Sequence, residues 1–170
     1  LELLVVYGGP GRTTGDGIES GTFCEALVRE LRDLLEVRSE GIFHLDLRLR
    51  PHGKKGPLAS PLPLLSEYYS PGGGAAPFER QALLKLRPVA GDPELGQQVM
   101  AVRDAFVWSG EPWDRDDALH LRERQATELV PAGRINVKYS RGCMVDVDYT
   151  VQYLQLLHGG EHRELRTPTT

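Results

Sequence analysis

A carboxylate and two guanidinium groups follow one another along residues 42–50, which read IFHLDLRLR. Apolar and polar residues alternate here, so we predict a half-buried β-strand with Asp46, Arg48 and Arg50 on its solvent face. Carboxylates bind divalent cations and guanidinium groups bind phosphate oxygens, so this pattern suits a metal-bound polyphosphate. The simpler alternative is an ion pair between Asp46 and one of the arginines on a solvated surface.

A turn rich in glycine and lysine follows this strand. Pro51 ends the strand, and residues 52–56, which read HGKKG, add positive charge and backbone N–H groups. Lys54 is therefore a candidate phosphate contact. The spacing differs from that of a Walker A loop, and an ordinary basic hairpin turn is the alternative interpretation.

The first predicted strand carries a second acid. Residues 1–7, LELLVVY, are apolar except for Glu2. If this strand lies beside residues 42–50 in register, Glu2 and Asp46 share a face and could share one Mg²⁺, which takes few carboxylate ligands. The alternative is that Glu2 only marks a solvent-exposed face.

The elements around these strands must hold them in place. A helix is predicted between the two strands because apolar residues recur there at spacings of three and four. Further helices are predicted over 78–87, 93–108, 116–129 and 144–158. We therefore expect an α+β fold, with a small mixed sheet and helix over 1–57, a linker over 58–77 and a helical bundle over 78–170. The apolar stripe of the first helix is Phe23, Ala26, Leu27, Leu31, Leu34 and Leu35.

The composition narrows the class of protein. Of the 170 residues, 40% are hydrophobic and 26% are charged, as in ordinary globular proteins. The net charge of −4 argues against a general nucleic-acid binder. No apolar run approaches the roughly 18 residues that a membrane span needs. Two cysteines without metal-ligand spacing favour a reducing, cytoplasmic setting.

Three blocks in order carry a family resemblance. They are DLRLRPHGKKGPL at 46–58, FERQALLKLRPVAGDPELG at 78–96 and NVKYSRGCMVDVDYTVQYLQLLHG at 136–159. Together they resemble the glutamate-ammonia ligase (glutamine synthetase) adenylyltransferases, which are also adenylyl-removing enzymes. That family belongs to the polymerase-β-like nucleotidyltransferase superfamily, so residues 1–57 are expected to be part of a nucleotidyltransferase unit.

The resemblance implies roles for individual residues. Glu2 matches the second of three metal-binding acids, where Asp is commoner, and Asp46 matches the third. The family's Gly-Ser turn and first acid would precede Leu1. Both ends look cut, so we expect a fragment of one half of a longer protein that is inactive by itself. Arg48, with Arg50 and Lys54, would steady the phosphates of the nucleotide.

The implied activity is Mg²⁺-dependent transfer of AMP from ATP to a tyrosine of glutamine synthetase, or its phosphorolytic removal, in nitrogen regulation. The implied partners are glutamine synthetase, as the protein substrate, and a nitrogen-signalling regulatory protein. The alternative is a catalytically degenerate module of the same parent protein that binds nucleotide without turnover. The three blocks are shared by the adenylylating and the deadenylylating halves, so they do not tell the halves apart.

Overall fold

The computed structural model describes residues 2–38, 45–112 and 114–168. Two strands and six α-helices lie within these residues, which confirms the predicted α+β class. None of these helices is both long enough and apolar enough to cross a membrane. The strands are β1 (Val5–Tyr7) and β2 (Ala59–Pro61), and the helices are α1 (Ser20–Arg38), α2 (Leu62–Tyr68), α3 (Glu79–Leu83), α4 (Pro93–Val107), α5 (Arg115–Glu128) and α6 (Met144–His158).

The chain folds into two compact units. The first comprises Leu1–Ala75 and Pro88–Arg103, and the second comprises Ala76–Arg87 and Asp104–Thr170. These units group the residues differently from the predicted domains, because 88–103 belong with the first unit. The domain limits predicted from the sequence stay predictions.

The first unit is built on a short parallel sheet. Strands β1 and β2 pair in register from Val5 opposite Ala59 to Tyr7 opposite Pro61. A parallel pair needs a long connection, and α1 forms part of it. The core of this unit consists of four buried residues, with Leu3, Val5, Tyr7, Cys24, Leu35 and Leu58 packed around them. The buried four are Val28, Leu45, Leu47 and Ala59.

The inward face of α1 differs from the predicted stripe. Val28 is buried at 1% exposure, whereas Phe23, Leu27 and Leu34 are exposed at 46%, 53% and 53%. The helix is amphipathic as expected, but its core-facing line runs along Cys24, Val28 and Leu35. Spacing alone gave the wrong line because the apolar residues of this helix cover more than one face.

The segment predicted as a linker contains regular structure. Strand β2 and helix α2 both lie within 58–77, and Ala59, Ser60 and Leu65 are buried there. The prolines that suggested a linker fall at the end of β2 and in the first turn of α2, where the missing N–H groups cost little. This part of the predicted linker is therefore ordered core.

Residues 45–50 form less strand than predicted. Residues 42–44 lie outside the described part of the chain, and over 45–50 the only ladder pairing described is a single bridge at Asp46. The buried side chains of Leu45 and Leu47 confirm the predicted inward face. Beyond them the chain bends into a turn rather than extending the ladder.

The observed bounds of α4, α5 and α6 lie within about one residue of the predicted ones. Helix α6 has the predicted bounds, and α4 begins at Pro93, where Leu95 N donates to the Asp92 Oδ1 atom at 2.8 Å. Helix α5 begins one residue early, because Asp114 accepts hydrogen bonds from Asp116 N and Asp117 N. Helix α3 spans Glu79–Leu83 and is therefore shorter than the predicted 78–87.

Arg80 is the most enclosed charged group described in the second unit. Its side chain on α3 is 2% exposed. Its Nε donates to the Val107 carbonyl at 2.8 Å, and its Nη1 donates to the Glu111 carbonyl at 2.8 Å. Val107 is the last residue of α4, so Arg80 satisfies a helix-terminal carbonyl that has no partner within its own helix.

Candidate functional site

The two predicted metal-binding acids lie opposite each other. Glu2 and Asp46 form an isolated parallel bridge, and Leu3 N donates to the Asp46 carbonyl at 2.9 Å. Residues paired across neighbouring strands lie about 4.8 Å apart and send their side chains to the same face. Leu3 and Leu45, one position along, pack into the core. The structure therefore brings Glu2 and Asp46 together on the face away from the core.

Arg48 is the direct partner of Asp46. Its Nε contacts both carboxylate oxygens at 2.9 Å, its Nη2 contacts Oδ2, and its backbone N donates to Oδ1 at 3.0 Å. This is the ion pair that the simpler interpretation anticipated. The arginine side chain is 66% exposed, and these hydrogen bonds raise the pKa of its guanidinium group above the ordinary value.

The proximity of two acids shifts the titration of one of them. Partial burial of the Glu2 carboxyl raises its pKa above the usual 4.5, and the negative charge of Asp46 raises it further. The positive charge of Arg48 opposes both effects without cancelling them. A bound cation between the two carboxylates would relieve this repulsion.

Arg50 occupies a different position from the predicted one. The prediction that it lies on the solvent face is wrong, because the residue is only 9% exposed. Its Nη1 donates to the Leu47 carbonyl, and its Nε donates to the Gly56 carbonyl at 3.2 Å. Arg50 is therefore engaged with backbone oxygens, and its predicted role as a phosphate ligand stays a prediction.

Lys54 lies on an exposed turn. Residues Gly53–Lys55 form a short 3₁₀ helix in place of the hairpin turn that the sequence suggested. The turn begins at His52, whose φ of 63° is the only positive value at a non-glycine residue in the described part of the chain. Lys54 and Lys55 are both exposed, so their ammonium groups face solvent.

The acids present fit part of a magnesium site. Among the described residues no group of three or more histidines, cysteines or acids is placed to bind a metal ion. Mg²⁺ is commonly held by one or two carboxylates together with substrate phosphates and water. Two adjacent carboxylates with mutual repulsion, Glu2 and Asp46, match that minimal donor set.

The ion pair between Arg122 and Asp146 was not predicted from the sequence. In the second unit, Arg122 Nε donates to the Asp146 Oδ1 atom at 2.5 Å, and the arginine is 7% exposed. Burial alone would raise the pKa of Asp146, but hydrogen bonds from Arg122 and Gly142 N outweigh it and leave the pKa below its ordinary value. The two partners are 24 residues apart, so local spacing carries no signal of their contact.

Glu2→Gln is expected to remove a pH-dependent penalty on stability. The raised folded-state pKa means that folding disfavours the ionised carboxylate, so the penalty is full above that raised value. It vanishes as the pH falls below the ordinary 4.5. At pH 7 the variant should therefore be more stable than the parent, by less than about 1 kcal/mol because the residue is exposed to solvent. Near pH 3.5 the two proteins should be equally stable.

Urea unfolding of both proteins across this pH range measures the difference. Glu30→Gln, at an exposed position on α1, is the matched control for losing one surface carboxylate. Equal stability of the Glu2 variant and its parent at every pH would show that folding does not raise the pKa of Glu2.

Comparison with known proteins places the chain in a family. The sequence profile of glutamate-ammonia ligase adenylyltransferases matches residues 1–102. Three similar proteins are each named bifunctional glutamine synthetase adenylyltransferase/adenylyl-removing enzyme. That of Bifidobacterium longum subsp. infantis is 38% identical over 158 residues, which cover 91% of this chain and 14% of that protein. That of Mycolicibacterium smegmatis is 35% identical over 162 residues, covering 92% and 16%. That of Mycobacterium tuberculosis H37Rv is 36% identical over 149 residues, covering 84% and 14%.

The chain therefore spans only 14–16% of the length of these curated relatives. The match nevertheless includes both acids of the candidate site and the basic turn that follows them. With a profile that matches more than half of its residues, the chain belongs to the glutamate-ammonia ligase adenylyltransferase family.

Proposed function

We propose that the full-length protein containing this chain transfers AMP from ATP to a tyrosine of glutamine synthetase, or removes it by phosphorolysis. The observation that carries the proposal is the pairing of Glu2 with Asp46 on one face, next to Arg48. The names of the relatives supply the substrate, since each is a glutamine synthetase adenylyltransferase and adenylyl-removing enzyme.

In transfer, the tyrosine oxygen forms a bond to the α-phosphorus of ATP, the bond from that phosphorus to the bridging oxygen breaks, and pyrophosphate leaves. In removal, a phosphate oxygen takes the AMP group, ADP forms, and the tyrosine hydroxyl is restored. Mg²⁺, when bound, would offset phosphate charge and align the attacking oxygen. Glu2 and Asp46 are the residues proposed to hold it.

Arg48 is proposed to release the Asp46 carboxylate and bind nucleotide phosphate instead. In the structure its guanidinium group neutralises Asp46. Its side chain is 66% exposed, so the surrounding protein leaves room for it to change rotamer. A cation at the carboxylates would compete for Asp46, and the displaced guanidinium group could then bind nucleotide phosphate in its usual bidentate geometry. Lys54, exposed on the adjoining turn, would add a second positive charge.

The function is tested by following the nucleotide itself. The full-length protein is incubated with glutamine synthetase, Mg²⁺ and ATP labelled at the α-phosphate. We expect label on a tyrosine of glutamine synthetase, no label when the γ-phosphate carries it, and none after chelation of Mg²⁺. Phosphate added afterwards should release the label as ADP if the removing activity is present.

Failure to transfer α-label under these conditions, with Mg·ATP bound nonetheless, would favour the degenerate nucleotide-binding module instead.

A cytoplasmic location and control by a nitrogen-signalling protein remain predictions of the family resemblance.

A further inference from the structure

The buried Arg50 joins the two ends of the basic turn, by which we mean residues 48–56. Its guanidinium group donates to the carbonyl of Leu47 just before the turn and to the carbonyl of Gly56 at the end of it. Leu47 and Gly56 are nine positions apart in the sequence. A single arginine side chain therefore links the beginning and the end of the basic turn through hydrogen bonds.

Backbone hydrogen bonds inside the turn give it a defined path. Gly53 N donates to the Arg50 carbonyl at 2.8 Å, and Gly56 N donates to the Gly53 carbonyl at 3.2 Å. A Cβ at Gly56 would lie 2.0 Å from the Pro51 carbonyl oxygen, so only glycine fits there without a backbone shift. Pro51 is itself fully buried. Hydrogen bonds and packing therefore fix the backbone of this turn in one conformation.

We infer that Arg50 is a positioning residue: it sets the basic turn so that Arg48 and Lys54 face the phosphates bound beside Asp46, without contacting them itself. The inference rests on the proposed function and names how its phosphate side is held in place. Of the three basic residues predicted to contact phosphate, Arg48 and Lys54 are exposed and Arg50 is buried. Only the first two have the exposure that contact with a ligand requires.

The shape of the side chain explains why arginine stands at this position. A guanidinium group presents several N–H donors in one fixed plane and can satisfy two separate carbonyls at once. A lysine ammonium group keeps the charge but lacks this fork. Arg50→Lys therefore separates a two-carbonyl clamp from a phosphate contact made through charge alone, because lysine keeps the charge and loses the fork.

The first test needs no nucleotide. Hydrogen exchange of the peptide covering the basic turn is measured in the full-length protein for Arg50→Gln, Arg50→Lys and the matched control Arg48→Gln. We expect exchange in the turn to accelerate by about tenfold in both Arg50 variants, as loss of a buried hydrogen bond implies. The control should exchange like the parent. Unchanged exchange in the Arg50 variants would overturn the inference even if the protein proves to be an adenylyltransferase.

The second test uses adenylyl transfer. Both Arg50 variants should raise KM for ATP by about tenfold while kcat stays within about threefold, since binding geometry rather than chemistry is disturbed. A merely structural loss would lower kcat through a smaller active fraction and leave KM unchanged. The salt dependence of KM should persist in Arg50→Gln but weaken in Arg48→Gln and Lys54→Gln, which lose a direct charge contact.

Near-normal KM in Arg50→Lys, or a weakened salt dependence in Arg50→Gln, would show that Arg50 touches phosphate directly and would overturn the inference. If Arg50→Gln folds poorly, Arg50→Lys gives the same discrimination with the charge retained. A parent protein without transfer activity would refute the proposed function alone, because the exchange measurement still decides the role of Arg50.

Discussion

Asp46→Asn in the full-length protein is expected to abolish the reaction of the half that contains this chain, either AMP transfer to glutamine synthetase or its phosphorolytic removal, while the protein remains folded. The amide keeps the size of the side chain but removes the charge that would hold Mg²⁺ next to Glu2. We expect kcat to fall at least about a thousandfold, which corresponds to about 4 kcal/mol in the activation barrier. The measurements are the rate of α-label transfer at saturating ATP and Mg²⁺ and the rate of its release as ADP at saturating phosphate and Mg²⁺.

Stability should change little in this variant, because the Arg48 side of its ion pair with Asp46 is 66% exposed and partly solvated pairs contribute little. Asp33→Asn is the matched control, since Asp33 is an exposed aspartate that also pairs with an arginine, Arg32. It should transfer AMP at the parental rate. Transfer and removal both near the parental rates in Asp46→Asn would remove Asp46 from the proposed metal site.

Arg80→Met is expected to give the largest loss of stability of any single change considered for this chain. The substitution keeps an unbranched side chain in a buried position but leaves the carbonyls of Val107 and Glu111 without these donors. Burial already lowers the pKa of Arg80, which reflects the cost of enclosing its charge. Leaving both carbonyls unsatisfied should lower the free energy of unfolding by about 3 kcal/mol.

Urea unfolding followed by circular dichroism measures this loss, because the unit that contains Arg80 is helical. Arg134→Met, at an exposed position of the same unit, is the matched control and should change the free energy of unfolding by less than about 0.5 kcal/mol. A loss below about 1 kcal/mol for Arg80→Met would mean that water or a rearranged backbone satisfies the two carbonyls as well as the arginine does.

Local sequence signals were reliable where the chain supplies its own boundary groups. Asp92 followed by Pro93 predicted the start of α4, and the glycine pair after His158 predicted the end of α6. At α2 a proline gives no such boundary, because Pro63 lies in the first turn of the helix. A proline excludes the helix interior but is accepted at the helix start, so its presence alone does not decide between a linker and a helix.

Which face of an element is buried was decided by its neighbours. On α1, several apolar residues offer alternative lines, and the packing of β1, β2 and residues 45–47 selected the one through Val28. Arg50 shows the same effect on a polar residue. Alternation placed it on the solvent face with Arg48, but the bend after Leu47 turned its guanidinium group inward to two carbonyl oxygens.

The sequence by itself determined the chemical groups of the candidate site, namely two isolated acids among apolar residues and a basic, glycine-containing turn, together with the family to which they belong. Only the tertiary structure decided that Glu2 lies opposite Asp46, that Arg48 pairs with that acid and that Arg50 braces the turn. The physical reason is that residue type and local spacing fix what a side chain can bind, whereas contacts between residues 44 positions apart, such as Glu2 and Asp46, depend on how strands pair.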